Sequence, residues 1–185
     1  MTSVHMPLSI VPLTGSLVPL SSLAELLIET VAKGGSVSFM HPLSTPDAQQ
    51  FWEGALHAAS LGERIILVAL EGAQLVGTVT LLLNCPPNQP HRAEIAKLMT
   101  RAERRGRGIG RALVEEAEKR AVQLGRFLIT LDTASEQGAA GFYEKLGYQR
   151  AGEIPYYAYK PHGGLTGTIL YWKQLGPLQE FEAKQ

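Results

Sequence analysis

The segment ERRGRGIGRAL, residues 103–113, places positive charge and flexible backbone at the start of a predicted helix. Five arginines lie within eleven residues of one another, at positions Arg101, Arg104, Arg105, Arg107 and Arg111. A helix N-terminus presents unpaired backbone N–H groups and a partial positive charge. Glycines let a ligand approach the backbone closely, and arginines bind phosphate oxygens through two hydrogen bonds. The pattern therefore indicates a site for a phosphate group.

The spacing of the glycines separates the known kinds of phosphate-binding loop. The nucleoside-triphosphate loop requires Lys followed by Ser or Thr after its last glycine, and no such pair follows here. The dinucleotide fingerprint requires a third glycine at the position of Arg111. The remaining pattern, R-x-x-G-x-G, is matched by Arg105, Gly108 and Gly110. A glycine turn with solvated arginines stays open as an alternative. RNA binding by so short a segment is disfavoured because ordered elements flank it.

The chain has the size and charge of a single domain that binds a small anion. Its 185 residues fit one domain, which we place at residues 1–185. The 17 Lys and Arg residues balance 17 Asp and Glu residues, so the positive charge of the loop is local. Proteins that bind nucleic acid usually carry a general positive surplus, so we expect no nucleic-acid partner. The single cysteine, Cys85, excludes an intrachain disulfide and a cysteine-rich metal site, and we expect no metal.

The first twenty residues are apolar, but they contain no Lys or Arg and are interrupted by Pro7, Pro12 and Pro19. This pattern is typical of neither a signal peptide nor a membrane span. We therefore expect a cytoplasmic enzyme that does not bind a membrane.

Hydrophobic periodicity predicts an α/β chain. Strands are expected at 8–13, 64–70, 75–83, 92–100, 126–133, 148–159 and 166–175. Helices are expected at 19–33, at 48–61 with Thr45 as N-cap, after the loop within residues 103–113 (the arginine loop) as far as 124, and at 137–147. The predicted order is therefore β-α-α-β-β-β-α-β-α-β-β in one domain.

Two motifs in this order resemble the GCN5-related N-acetyltransferase superfamily. The strand EIAKLMT followed by RRGRGIGRAL is similar to its pyrophosphate-binding motif, and AAGFYEKLGY after LITLDT is similar to its second motif. The resemblance implies one mixed, mostly antiparallel β-sheet of about six to seven strands flanked by about four helices. It also implies acetyl-CoA as cosubstrate and a small-molecule amine as acceptor. A homodimer is an assembly that this fold allows.

A narrower resemblance concerns the acceptor. The segments LLIETVAKGGSVSFM and HRAEIAKLMT are similar to segments of the tabtoxin resistance acetyltransferases. That branch acetylates an amino-acid-like β-lactam toxin, so antibiotic or toxin resistance is the finer function that this resemblance implies. Two other functions stay open, namely an acetyl-CoA-binding sensor without catalysis and acetylation of a protein N-terminus or lysine.

The superfamily resemblance assigns the cosubstrate to two neighbouring segments. The loop residues that would bind the pyrophosphate are Arg105, Gly106, Arg107, Gly108, Ile109 and Gly110, with Arg111 adding charge. Backbone groups of Leu98, Met99 and Thr100 would hold the pantetheine arm and the acetyl carbonyl. The family often has Asn seven residues before its motif tyrosine, and this chain departs from it with Glu136.

Acetyl transfer requires a neutral amine, although a free amine is mostly protonated at pH 7, and a proton for the departing thiolate. Either Glu94, at the start of a strand, or Asp132, at the end of the next, could accept the proton of the amine. Tyr143 could protonate the sulfur. Because Phe142 and Leu146 lie four residues apart, we expect them to face the core and Tyr143 to face the cosubstrate cleft.

Each of these candidates also has a structural interpretation. Glu94 could be a surface carboxylate paired with Arg92, Asp132 could cap a helix entry, and Tyr143 could be a core tyrosine. Two carboxylates, together with a wall formed by the tyrosines at 156, 157 and 159, favour a small cationic amine as acceptor.

Overall fold

The computed structural model describes residues 7–15, 17–136 and 140–176, and its elements follow the predicted order. The strands are β1 (Leu8–Pro12), β2 (Arg64–Glu71), β3 (Gln74–Leu82), β4 (Arg92–Thr100), β5 (Leu128–Ala134), β6 (Gln149–Tyr159) and β7 (Leu165–Gln174). The α-helices are α1 (Leu20–Ala32), α2 (Thr45–Ser60), α3 (Ile109–Gln123) and α4 (Ala140–Lys145), and a short 3₁₀-helix spans Ala102–Arg104. Residues 137–139 of the predicted helix 137–147 lie outside the described residues.

The start of α2 differs from the prediction by one residue. Ser44, not Thr45, is the N-cap, because its Oγ accepts a hydrogen bond from the backbone N–H of Asp47 at 3.2 Å. This contact satisfies one of the unpaired N–H groups of the first turn. Both residues are good N-caps, so sequence alone does not decide between them.

The seven strands form one sheet in the order β1-β2-β3-β4-β5-β7-β6. Every neighbouring pair is antiparallel except β4 and β5, which are parallel. The prediction of a mixed, mostly antiparallel sheet of six to seven strands with four helices is therefore confirmed for the described residues.

Helices cover both faces of the sheet. On one face of the sheet, α3 buries apolar residues that include Leu113 and Val114. On the other face, α1 and α2 bury apolar residues that include Leu23 and Trp52. Each fully buried leucine contributes about 1.5–3 kcal/mol to stability. Successive residues of β2 alternate between the two cores, which explains why its sequence is a continuous apolar run.

Strands β4 and β5 separate after a short paired stretch. Their register runs only from Arg92 opposite Leu128 to Glu94 opposite Thr130. Beyond these residues β4 pairs only with β3 and β5 only with β7. The facing edges then lack strand partners, so their backbone groups remain for solvent or a ligand.

Strand β4 also contains a bulge at this point. The pairing with β3 steps from Ala96 opposite Thr80 to Met99 opposite Thr78, so that two residues of β4 oppose one of β3. Lys97, in the bulge, has a left-handed backbone with φ of 53°. A bulge redirects the side chains that follow it, here next to the opening between β4 and β5.

Candidate active site

A cleft of about 1120 Å³ occupies the opening between β4 and β5. Its walls come from four parts of the chain: the second half of β4, the arginine loop with the start of α3, the end of β5, and α4. Further lining comes from Thr30 at the end of α1, from residues 33–39 between α1 and α2, from residues 157–159 of β6 and from residues 166–168 of β7. The cleft brings together all but two of the residues predicted for the site, the exceptions being Glu94 and Arg107.

The arginine loop ends at the N-terminus of α3. Its glycines Gly106 and Gly108 have left-handed backbones with φ of 76° and 80°. A residue with a β-carbon would be strained in this conformation by about 1–2 kcal/mol. Gly108 is the N-cap, and no side chain caps the helix, so the first N–H groups of α3 are available to an anion. The anion site predicted from the sequence would lie at these N–H groups.

Most of the five arginines are held by carboxylates. Arg101 lies 2.8 Å from Glu29, Arg104 lies 3.5 Å from Glu71, Arg107 lies 4.0 Å from Glu71, and Arg111 lies 2.8 Å from Glu115. Among the described residues, no side chain forms an ion pair or hydrogen bond with the guanidinium of Arg105, which lines the cleft. Arg105 is thus the arginine best placed to bind a phosphate.

The residues predicted to hold the cosubstrate by their backbone line the cleft beside the loop. Met99 is buried in the core between β4 and helices α1 and α2, so only its backbone is available to a ligand. Leu98 packs against the other core and lies close to Gly110. Neither Lys97 nor Leu98 has a pairing partner in β3. This arrangement fits backbone recognition of an extended ligand.

Tyr143 and Phe142 both line the cleft, but their burial differs from the prediction. Tyr143 is 7 % exposed and lies in the core against Tyr148 and Tyr171, with ring centroids 5.7 and 6.0 Å away. Phe142 is only partly buried. Phe142 nevertheless packs against this core and Tyr143 lines the cleft, as expected. What differs from the prediction is that Tyr143 is also a core residue, because its ring packs against Tyr148 and against Tyr171 of β7.

The phenol of Tyr143 is a proton donor at neutral pH. Burial raises the pKa of Tyr143 to about 12, and the nearby Asp132 carboxylate acts in the same direction. No other described residue forms a hydrogen bond with its hydroxyl. A neutral hydroxyl at a cleft wall can donate a proton and cannot act as a base at pH 7.

Asp132 lies at the other wall of the cleft, at the end of β5. One of its oxygens accepts a hydrogen bond from Thr168 Oγ1 at 2.8 Å. The carboxylate is exposed and faces no ion-pair partner within the described part of the chain. The alternative interpretation of Asp132 as a helix cap stays a prediction, because residues 137–139 lie outside the described residues. An exposed carboxylate in a cleft can accept a proton from a bound amine.

Lys97 is a cleft residue that the sequence did not single out. Its ammonium donates hydrogen bonds to the Val37 carbonyl at 2.8 Å and to Ser38 Oγ at 2.9 Å. It also lies 5.8 Å from the ring centroid of Phe39 and 5.9 Å from that of Phe51. These contacts join β4 to a segment some 60 residues earlier in the chain. Only the three-dimensional fold brings them together.

Glu94 and Arg107 lie outside the cleft lining. Glu94 is at the last paired position of β4 before the strands separate, and its carboxylate lies 3.5 Å from Arg92. This contact is the one that the structural interpretation of Glu94 predicts. Glu136, the departure from the family pattern, does line the cleft and forms an ion pair with Lys160 at 2.9 Å.

Comparison with known proteins identifies the family. The model of the Acetyltransferase (GNAT) family matches residues 28–148, which include the arginine loop and the second motif. The chain belongs to this family. Among curated GNAT relatives, N-acetyltransferase 8 of Rattus norvegicus is 35 % identical over 88 residues, which are 46 % of this chain and 40 % of that protein. The match thus spans less than half of that relative.

Solved structures share the fold over nearly the whole chain. The ribosomal-protein-alanine N-acetyltransferase of Brucella melitensis has a TM-score of 0.76 at 20 % identity, over 90 % of this chain and 99 % of that one. An acetyltransferase of Salmonella typhimurium, solved with its cofactor acetyl-CoA, has a TM-score of 0.74 at 16 % identity, over 96 % and 98 %. At this level of identity the likeness establishes the GNAT fold.

Two further properties concern the described residues alone. Within them, no three His, Cys, Asp or Glu side chains are grouped so that they could hold a metal ion. None of the helices there combines the length and the apolar character needed to cross a membrane.

Proposed function

We propose that this protein transfers the acetyl group of acetyl-CoA to the amine of a small molecule, by direct attack of the amine. The observation that carries the proposal is Arg105. No other described residue forms an ion pair with its guanidinium. Arg105 lies just before the N-terminus of α3 and lines the same cleft as Asp132 and Tyr143. A phosphate site and two proton-transfer groups in one cleft are what transfer from a coenzyme A thioester requires.

The cleft fits the cosubstrate at its phosphate end. Arg105 and the N–H groups of Ile109, Gly110 and Arg111 would bind the pyrophosphate. Among the described residues, no atom lies within 4 Å of where a β-carbon would stand on Gly106 or Gly108, so a phosphate has room to approach the backbone. The backbone of residues 98–100 would hold the pantetheine arm. Arg107 would influence phosphate binding only indirectly, because its guanidinium forms an ion pair with Glu71.

The chemistry uses groups on opposite walls of the cleft. The acetyl carbon forms a bond to the amine nitrogen, and its bond to sulfur breaks. Asp132 would take the proton that the amine loses, directly or through a water. Tyr143 would give a proton to the departing thiolate, as its neutral phenol permits. Glu94 remains a candidate base only through a water, because Arg92 holds its carboxylate outside the cleft lining.

The finer function belongs to the same proposal. The similarity of residues 26–40 and 91–100 to the tabtoxin resistance acetyltransferases favours an amino-acid-like acceptor such as tabtoxinine-β-lactam, and with it a role in toxin resistance. A cytoplasmic location and a homodimer complete the proposal. Light scattering of the purified protein measures the assembly, and survival of toxin-treated cells that express the protein measures the resistance.

Release of free thiol from acetyl-CoA, measured with and without each amine of a panel, tests the proposed transfer. The panel contains amino acids, polyamines, aminoglycosides and peptides. We expect release that depends on a small amine, with the acetylated product seen by mass spectrometry. Tight binding of acetyl-CoA without turnover on any amine would favour a sensor instead. Turnover on peptides alone would favour acetylation of proteins.

A further inference from the structure

The end of the cleft formed by β4, β5 and residues 36–39 contains two opposite charges that do not neutralise each other directly. Lys97 lies on the β4 wall and Asp132 on the β5 wall, and both line the cleft. They attract each other through space, yet they form no ion pair in the described part of the chain. Each charge therefore remains available to a molecule bound between them.

The ammonium of Lys97 is fixed in place but not fully used. It donates to the Val37 carbonyl and to Ser38 Oγ, and both acceptors are neutral. An ammonium has three N–H groups, and no third acceptor occurs among residues 7–15, 17–136 and 140–176. Within these ranges one N–H therefore has no acceptor, and the charge is offset only through space, by Asp132. The left-handed backbone of Lys97, at φ 53°, is a strain of the kind that concentrates at functional positions.

The surroundings of Lys97 favour an added negative charge. Burial lowers the pKa of the Lys97 ammonium, Asp132 acts in the opposite direction, and the positive charge of Arg64 lowers it further. A half-buried cation between neutral acceptors and aromatic rings is incompletely solvated. An anionic group beside it would form a charge-assisted hydrogen bond and offset that cost.

We propose that Lys97 binds an anionic group of the acceptor, so that the acceptor is a small molecule carrying a carboxylate or a similar anion as well as its amine. The amine is then directed towards Asp132 on the opposite wall. This inference rests on the proposed acetyl transfer. It adds an anionic group to the small cationic amine expected from the sequence, an expectation that relied on Glu94 and Asp132 both lying at this site. Of those two carboxylates only Asp132 lines the cleft, with Lys97 on the opposite wall, and the other carboxylate of the lining, Glu136, is paired with Lys160.

Matched acceptors test the inference in the unaltered protein. Each α-amino acid of a panel is compared with its own primary amide, which has the same amine but no negative charge, by the release of thiol from acetyl-CoA. We expect kcat/KM for the acid to exceed that for the amide by about tenfold or more, as for loss of one charge-assisted hydrogen bond. The amine of the amide is less basic, so a larger fraction of it is neutral and able to attack. This difference favours the amide and therefore cannot produce the expected preference for the acid.

Variants show whether Lys97 causes the preference. Lys97→Met keeps the length of the side chain and removes its charge, and it should lower kcat/KM for the acid while leaving that for the amide near its original value. Lys97→Arg should keep part of the preference. Ser38→Ala removes one bond that holds the ammonium but keeps the charge, and it should keep the preference. Lys119→Met, on the exposed surface of α3, is the matched control and should change neither value.

Two results would overturn the inference and leave acetyl transfer intact. One is equal kcat/KM for acids and amides in the unaltered protein, a comparison that does not depend on how any variant folds. The other is an equal fall for both acceptors in Lys97→Met, which would make Lys97 only a support for residues 36–39. Absence of thiol release with every amine would overturn the proposed transfer itself.

Discussion

Glu29 Oε2 accepts a hydrogen bond from Arg101 Nη1 at 2.8 Å, and this pair joins α1 to the residues that lead into the arginine loop. The second carboxylate oxygen of Glu29 accepts the backbone N–H of Ala102 at 2.7 Å. The segment before the loop is therefore fixed from the side of the sheet opposite α3. The loop can be flexible at its glycines while its entry stays in place.

Replacing Glu29 with Gln should destabilise the fold by at least about 1 kcal/mol, since Gln is neutral and has one acceptor oxygen where Glu29 uses two, so one of the two hydrogen bonds is lost. The effect should depend on pH. Burial alone would raise the pKa of Glu29, but the bonds from Ala102 and Arg101 outweigh it and hold that pKa below its ordinary value. A lowered pKa stabilises the fold fully above about pH 5, and this contribution is lost as the pH falls through the folded value.

Urea unfolding of Glu29→Gln and of the unaltered protein, at pH 7 and at pH values below 4, measures this difference. The difference in the free energy of unfolding between the two proteins should be largest at pH 7 and should decrease in acid. A gap that stays constant over this range would show that the charge of Glu29 is unimportant for the contact.

Arg105 and Arg107 should differ in their effect on cosubstrate binding. Arg105→Ala should weaken acetyl-CoA affinity about tenfold or more, because a charge-assisted contact contributes about 1.5–3 kcal/mol. Arg107→Ala should weaken it much less, since that guanidinium is shared with Glu71 and lies outside the cleft lining. Isothermal calorimetry measures both. An equal loss of acetyl-CoA affinity in the two variants would show that Arg107 also binds the phosphate directly.

The anion site could be predicted from sequence because its parts are local. The arginines, the glycines and the helix start are neighbours in the chain, and their spacing selects one kind of loop. Which arginine is free could not be predicted, because the partners Glu29 and Glu71 lie on α1 and β2. Lys97 was missed for the same reason. Its position depends on a bulge in β4 and on contacts with a loop some 60 residues away.

The order of strands and helices was predictable because the hydrophobic periodicity that distinguishes a strand from a helix is visible within each segment alone. The separation of β4 from β5 was not, since nothing in either strand marks where their pairing stops. The opening decides which carboxylate reaches the cleft. Glu94, two residues into β4, is on the paired side, and Asp132, further along β5, is on the open side.

Asp132→Asn should therefore lower turnover by about 10²-fold, the lower end of the effect of a general base, with acetyl-CoA affinity unchanged. The amide can still accept the hydrogen bond from Thr168, so the fold should be preserved. Glu94→Gln is the matched comparison and should lower turnover much less, because its carboxylate is paired with Arg92. Steady-state kinetics with the best acceptor measures both. A larger loss in Glu94→Gln would make Glu94 the base.

Tyr143→Phe should lower turnover by about 10²-fold while stability and acetyl-CoA affinity stay nearly constant. The ring keeps its packing against Tyr148 and Tyr171, and the hydroxyl forms no hydrogen bond with another described residue that its removal would break. Because its pKa is about 12, the phenol stays protonated throughout the neutral range and remains able to donate. Tyr171→Phe removes the same atom from the same aromatic cluster, where it contacts Glu144 outside the cleft, and should leave turnover unchanged. Rates measured under conditions in which chemistry limits turnover decide the matter. If Tyr143→Phe and Tyr171→Phe are equally active there, the thiolate takes its proton from water.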